Sequence, residues 1–73
     1  MTPDTALILN LLRAKVWKTD EDNKAWGLVE IYCSLPEGWL LRKWKGHLAQ
    51  LKKLGLYEAP MRGGCFGKVK LED

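Results

Sequence analysis

Trp39-Leu40-Leu41-Arg42-Lys43-Trp44-Lys45-Gly46-His47-Leu48-Ala49-Gln50-Leu51-Lys52-Lys53-Leu54-Gly55-Leu56-Tyr57 is the stretch on which the reading of this chain turns. Leu41, Trp44, Leu48 and Leu51 recur at spacings of three, four and three, the period that gathers side chains on one face of an α-helix. Leu40 and Leu54 flank the stripe, and Gly55 suits the left-handed residue that ends a helix. The spacing predicts a helix over about residues 39–54. With Trp44 at the centre of the buried face and a turn of about 100° per residue, Arg42, Gly46, Ala49 and Lys53 fall on the opposite side. Trp39, Lys43, Lys45, Gln50 and Lys52 fall beside them. The exposed face is therefore basic, with small residues at its centre.

After Gly55 the period shortens. Leu56-Tyr57-Glu58-Ala59 and Phe66-Gly67-Lys68-Val69-Lys70-Leu71 read as two strands around Pro60-Met61-Arg62-Gly63-Gly64, whose glycines permit a tight tip, giving a hairpin over about residues 56–71. Lys68 and Lys70 alternate with Val69 and Leu71, so one face is buried and the other basic. Toward the N-terminus, Ser34-Leu35-Pro36-Glu37-Gly38 reads as a turn. Thr2-Pro3-Asp4 carries the hydroxyl cap, first-turn proline and acid of a helix start. A first helix is expected over about residues 3–18, with Ile8, Leu9, Leu12 and Val16 as its buried stripe and Leu11 and Trp17 on the flank. A polar break at Thr19-Asp20-Glu21-Asp22-Asn23 precedes a second helix, expected over about residues 23–33 through Ala25, Trp26, Leu28, Val29 and Ile31. Gly27 and the strand-forming Val29, Ile31 and Tyr32 weigh against that helix. Trp17, Trp26 and Trp44 are expected in the core, whereas Trp39 packs on the turn or contacts DNA or a partner.

Helix, helix, turn, helix and hairpin within one short chain is the helix-turn-helix plan with a β-ribbon appended. From His47 to Tyr57 the sequence resembles the winged-helix regulator families, in which a Leu-x-x-Leu-x-x-x-Gly-Leu helix end runs into the wing. Leu48, Leu51, Gly55 and Leu56 occupy that pattern, and Gly67-Lys68-Val69-Lys70-Leu71 resembles the strand that leaves a wing. The resemblance implies an α+β fold: a three-helix winged helix-turn-helix with a C-terminal β-hairpin wing, one domain over residues 1–73. It also implies binding to double-stranded DNA, with the helix at 39–54 in the major groove and the wing on the minor groove or the backbone. On that reading Gly46 and Ala49 let the helix approach the groove floor. Arg42 suits a guanine edge, Gln50 an adenine, and Lys43, Lys45 and Lys53 phosphates. Arg62 at the hairpin tip suits the minor groove, and Lys68 and Lys70 hold the wing to phosphates.

Composition agrees. A chain of 73 residues has room for one domain, and a hydrophobic fraction of 47 % with four Trp is enough for a core. The net charge of +3 is uneven, with residues 1–37 carrying −2 and residues 38–73 carrying +5, the asymmetry of a nucleic-acid-binding half. Lysines on a helix face also serve solubility alone. The longest apolar stretch, Ala6 to Leu12, is interrupted by Asn10 and falls far short of a membrane span, so a cytoplasmic protein is expected. Two cysteines are too few for a disulfide framework; Cys33 is expected in the core and Cys65 in an exposed turn.

Cys33, His47 and Cys65 lack metal-site spacing. Gly63-Gly64-Cys65-Phe66-Gly67-Lys68 fails as a phosphate loop, having Arg62 where glycine is needed and Val69 where a hydroxyl is needed. No enzyme, cofactor, metal or small-molecule ligand is expected. The expected function is that of a small transcriptional regulator, its specificity raised by homodimerisation on a two-fold site. The alternative is a winged-helix protein-interaction module, such as a small phage or mobile-element protein that binds a host protein, with Trp39, Met61 and Phe66 as anchors. An RNA-binding winged helix is the third reading.

Overall fold

A computed structural model of the chain describes residues 1–20, 25–31 and 38–72. Helix α1 (Pro3–Ala14) begins as its sequence requires: the Thr5 amide donates to the Thr2 hydroxyl at 3.2 Å, and Pro3 fills a first-turn position where no amide hydrogen is needed. Thr5, Ile8, Leu9 and Leu12 make its buried face. The helix ends at Ala14, four residues before the expected limit, with Lys15 as its cap. Val16 to Lys18 lead into a short strand, β1 (Lys18–Thr19), because a sheet edge competes with the helix for this segment.

The second helix expected at about 23–33 is not a helix in its described part. Trp26–Glu30 is a strand, β2, in the interior of the sheet. Gly27, Val29 and Ile31 point to the helices and are buried, while Trp26, Leu28 and Glu30 alternate to the other face. Two β-branched residues and a glycine fit that inner surface better than a helix. Gly27 is required by close approach, since a Cβ there would strike the Val16 side chain and lie 3.2 Å from Leu71. Residues 23, 24, 32 and 33 of that expected helix, Cys33 with them, and most of the turn at 34–38 lie outside the described residues.

Helix α2 (Leu41–Lys53) is the helix expected at 39–54, starting two residues later. Leu40 occupies its N-cap without a side-chain bond, so Trp39 precedes the helix. Its end is a Schellman motif: Gly55 has φ +77°, and the amides of Gly55 and Leu56 donate to the carbonyls of Lys52 and Leu51 at 3.1 and 3.0 Å. Strands β3 (Tyr57–Glu58) and β4 (Phe66–Lys70) form the expected hairpin. Its second strand is not a free ribbon, however, because β4 also pairs with β2 over five residues, from Trp26 opposite Lys70 to Glu30 opposite Phe66. The result is an α+β fold in which the described residues form two helices and a four-stranded antiparallel sheet of order β1-β2-β4-β3.

Both helices pack on one face of the sheet. Ile8, Leu9, Leu12, Trp44, Leu48 and Leu51 meet Val29, Ile31, Tyr57 and Val69 there, with Val16, Trp39, Leu56 and Leu71 closing the margins. Trp44 is in the core as expected. Trp17 is not: it is 59 % exposed and lies edge-on to Phe66, ring centroids 5.4 Å apart. The Trp17 amide donates to the Leu28 carbonyl while Lys18 is also paired with Leu28, so two residues face one in the manner of a β-bulge. That extra residue puts Trp17 outside the core. Trp26, also expected in the core, is half-buried on the sheet face away from the helices. Among the described residues no helix is long and apolar enough to cross a membrane.

Candidate nucleic-acid interface

Helix α2 supplies the largest concentration of one charge. Its sequence carries Arg42, Lys43, Lys45, Lys52 and Lys53 and no carboxylate. Burial of Trp44, Leu48 and Leu51 sets the helix rotation, and Arg42, Lys45, Gly46, Ala49, Gln50, Lys52 and Lys53 are all exposed as a consequence. Lys52 and Lys53 sit in the last turn, where the carbonyl end of the helix dipole favours cations. The helix is held at its middle by a polar contact to α1. The buried Thr5 hydroxyl bonds both Thr2 Oγ1 at 2.8 Å and His47 Nδ1 at 2.9 Å, so the cap of one helix is tied to the flank of the other.

Gly46 lies on the exposed side of this helix. Nothing stands within 4 Å of the place its Cβ would occupy. A glycine inside a helix costs about 1 kcal/mol relative to alanine, and no neighbour within the fold requires that smallness.

Two of the expected contact residues are engaged inside the fold. The Trp39 ring is half-buried, tilted against His47 with centroids 5.4 Å apart. Lys43 Nζ stands 4.2 Å above the centre of that ring and 3.5 Å from Asp4 Oδ2. Trp39 thus packs on the flank of α2, and the Lys43 charge is partly offset.

The hairpin tip is a hydrogen-bonded turn in which the Gly64 amide donates to the Met61 carbonyl at 2.7 Å, with Gly63 at φ +82°. Arg62 sits at its corner and Met61 is 86 % exposed. Lys68 and Lys70 are elsewhere. They belong to the sheet face turned away from both helices, and Lys68 Nζ is 3.3 Å from Asp20 Oδ2. The Lys70 carbonyl accepts from Arg13 Nε at 2.7 Å, which ties β4 to α1. The expected site residues therefore divide: those of α2 share one helix, Arg62 stands on the adjoining loop, and Lys68 and Lys70 lie on the opposite layer.

Between α2 and β3 runs a groove of about 370 Å³, lined by Ile31, Leu41, Trp44, Leu48, Tyr57 and Pro60, with Lys45 and Lys52 also on its walls. Burial pushes the Tyr57 phenol above its usual 10.0. Sequence reasoning did not find this groove, because it depends on how α2 sits over β3 and no local pattern encodes that distance. Among the described residues no cluster of His, Cys, Asp and Glu could hold a metal ion, and Cys65 is a half-buried free thiol.

Compared with protein-family models, curated protein sequences and solved structures, the chain finds no match, so the function is argued from the geometry above.

Proposed function

We propose that this chain is a small non-enzymatic DNA-binding protein of winged-helix type, a regulator that lays the exposed face of α2 in the major groove of duplex DNA. The observation that carries the reading is Gly46, a helix-interior glycine with open space around it, on a helix with five cations and no carboxylate. A backbone stripped of its side chain at that point has no use inside the fold and an evident one against a groove floor. Arg42 and Gln50 then reach base edges, Lys45, Lys52 and Lys53 neutralise phosphates, and Arg62 probes the neighbouring groove.

The topology supports the same reading. A helix, a strand, a helix and a two-stranded hairpin, with the hairpin's last strand paired to the earlier strand β2, is the connectivity of a winged helix carrying one extra edge strand, β1. The three-helix form asks for a further helix between β2 and α2, an interval that includes residues 32–37, outside the described set. On this reading the loop at residues 59–65 would serve as the wing tip. Lys68 and Lys70, on the far face of the sheet, take no part.

The test is duplex binding by the wild-type chain and by Gly46→Gln, which adds a neutral, helix-favouring side chain at the centre of the face. Binding at least about tenfold weaker, corresponding to about 1.4 kcal/mol, with helix content retained is the expected result. Equal affinity would count against close approach of the helix backbone.

The protein-interaction alternative draws on Met61 and Phe66, which are 86 % and 43 % exposed, but loses Trp39 as an anchor. Under it, duplex DNA would show no salt-dependent binding at all.

A further inference from the structure

The flank of α2 turned toward β3 borders the groove already described. Leu41, Trp44, Lys45, Leu48, Ala49 and Lys52 follow one another at intervals of three, one, three, one and three residues, so they form a single stripe along almost the whole helix, beside its buried face. Ile31, just after β2, and Tyr57 and Pro60, in and just after β3, stand on the opposite side. The space between holds about 370 Å³. That is within the range of small-molecule sites, roughly 300–1,000 Å³.

The lining selects the chemistry of an occupant. Apart from the two lysines, only Trp44 and Tyr57 bring a polar side-chain atom to it. An extended peptide laid there would bury its amides among carbon, which is costly, whereas an alkyl chain has no such group to satisfy. The length fits as well. From Leu41 to Lys52 the helix rises about 16 Å, at about 1.5 Å per residue. An extended alkyl chain of about twelve carbons is nearly as long, each carbon adding about 1.3 Å along the chain. The charge is one-sided: Lys45 and Lys52 are exposed on the stripe, and no carboxylate stands among the described residues that line the groove. An anionic head complements that pattern, and at the exposed Lys52 it can keep part of its hydration while the tail leaves water.

We propose that the groove between α2 and β3 binds one single-chain aliphatic carboxylate of about twelve carbons, its head at Lys52 and its tail running past Leu48 and Trp44 to Leu41. Lys52 is the head-group partner because it stands at the end of the stripe, leaving the full length for the tail. Lys45 lies nearer the other end, where its methylenes flank the tail and its charge adds to the positive potential. The inference rests on this groove alone and does not depend on DNA binding by α2.

Isothermal titration calorimetry of the intact chain with sodium dodecanoate, without DNA, tests the proposal. The expected result is one ligand per chain with a dissociation constant on the order of 10–100 µM. Decanoate loses two buried methylenes and should bind about tenfold more weakly. Dodecyltrimethylammonium, with the same tail and the opposite charge, should be weaker than dodecanoate by at least about tenfold. Lys52→Glu should weaken dodecanoate binding by about tenfold, and Ala49→Phe, whose ring takes up part of the groove, by at least as much. Circular dichroism of both variants, and of the wild type with dodecanoate, shows that the fold is intact. In amide correlation spectra the ligand should shift signals of residues 41–52 and 57–60. No binding at about 1 mM dodecanoate overturns the proposal, as does equal binding of the cationic analogue, indifference to both substitutions, or shifts centred on Trp17 and Phe66 instead. Shifts of the groove signals with protein concentration alone would give the groove to a second copy and overturn it as well.

Discussion

Replacing Gly46 with alanine should make the protein more stable. The position is inside α2, three residues or more from either end of the helix, so the full propensity difference applies. Alanine exceeds glycine there by about 0.8–1.0 kcal/mol, mainly through the backbone entropy that glycine loses on folding. Steric relief or penalty adds nothing, because a Cβ at this position has no neighbour within 4 Å. For a domain of this size, about 1 kcal/mol at the midpoint corresponds to a rise in Tm of about 4–8 °C. Thermal unfolding of wild type and Gly46→Ala, followed by far-ultraviolet circular dichroism, gives the difference directly. No change, or a fall in Tm, would mean that α2 is interrupted at Gly46 or that its outer face is covered, and the argument from a functionless glycine would collapse. A rise means that the wild-type chain forgoes about 1 kcal/mol of stability at the point where the proposed groove contact is closest.

Three further substitutions probe the fold. Gly27→Ala should act in the opposite direction to Gly46→Ala, costing about 1–3 kcal/mol in urea unfolding, because its methyl is driven into Val16 and Leu71. Thr2→Ala should cost about 1 kcal/mol in the same assay, since it removes the acceptor for the Thr5 amide and one partner of the Thr5 hydroxyl. Tyr57 has a phenol whose pKa is raised above 10.0 by burial, so the folded state favours the neutral form. Its contribution is fully present below pH 10 and is lost as pH rises through the higher folded-state value, because the unfolded chain releases the proton first. Unfolding midpoints measured above about pH 10 should therefore fall less steeply for Tyr57→Phe than for wild type.

The parts of the fold that local chemistry determines were legible, and those set by distant pairing were not. Thr2-Pro3 and Gly55 mark helix ends through bonds made within a few residues, and both do so in the structure. Trp44, Leu48 and Leu51 declare their face by spacing alone. The described part of the expected second helix is a strand instead because its outward positions, Trp26 and Leu28, are apolar like its inward ones, which hides the period of two. Val16 and Trp17 extend the apolar pattern of α1 past its true end for a similar reason: the competing β1 partner, β2, lies outside any local window. Strand β4 was read correctly as a strand, but its place between β2 and β3 depends on pairing across some forty residues. Lys68 and Lys70 alternate with buried Val69 as expected, but the pairing of β4 with β2 turns their face of the hairpin away from α2. The exposed face of α2 and the turn bearing Arg62 depend on local signals, and both stand where expected.

The central claim is that the exposed face of α2 binds duplex DNA through its cations. Fluorescence anisotropy of a labelled random-sequence duplex, titrated with the chain at about 50 mM and about 200 mM salt, measures this most directly. With about four phosphates neutralised, affinity should fall roughly a hundredfold between the two conditions. Arg42→Ala/Lys53→Ala should weaken binding at both and reduce the salt slope by about one contact, the Lys53 phosphate, Arg42 being a base-edge contact. No binding at the lower salt, or binding that neither the salt nor the double substitution alters, would contradict the account.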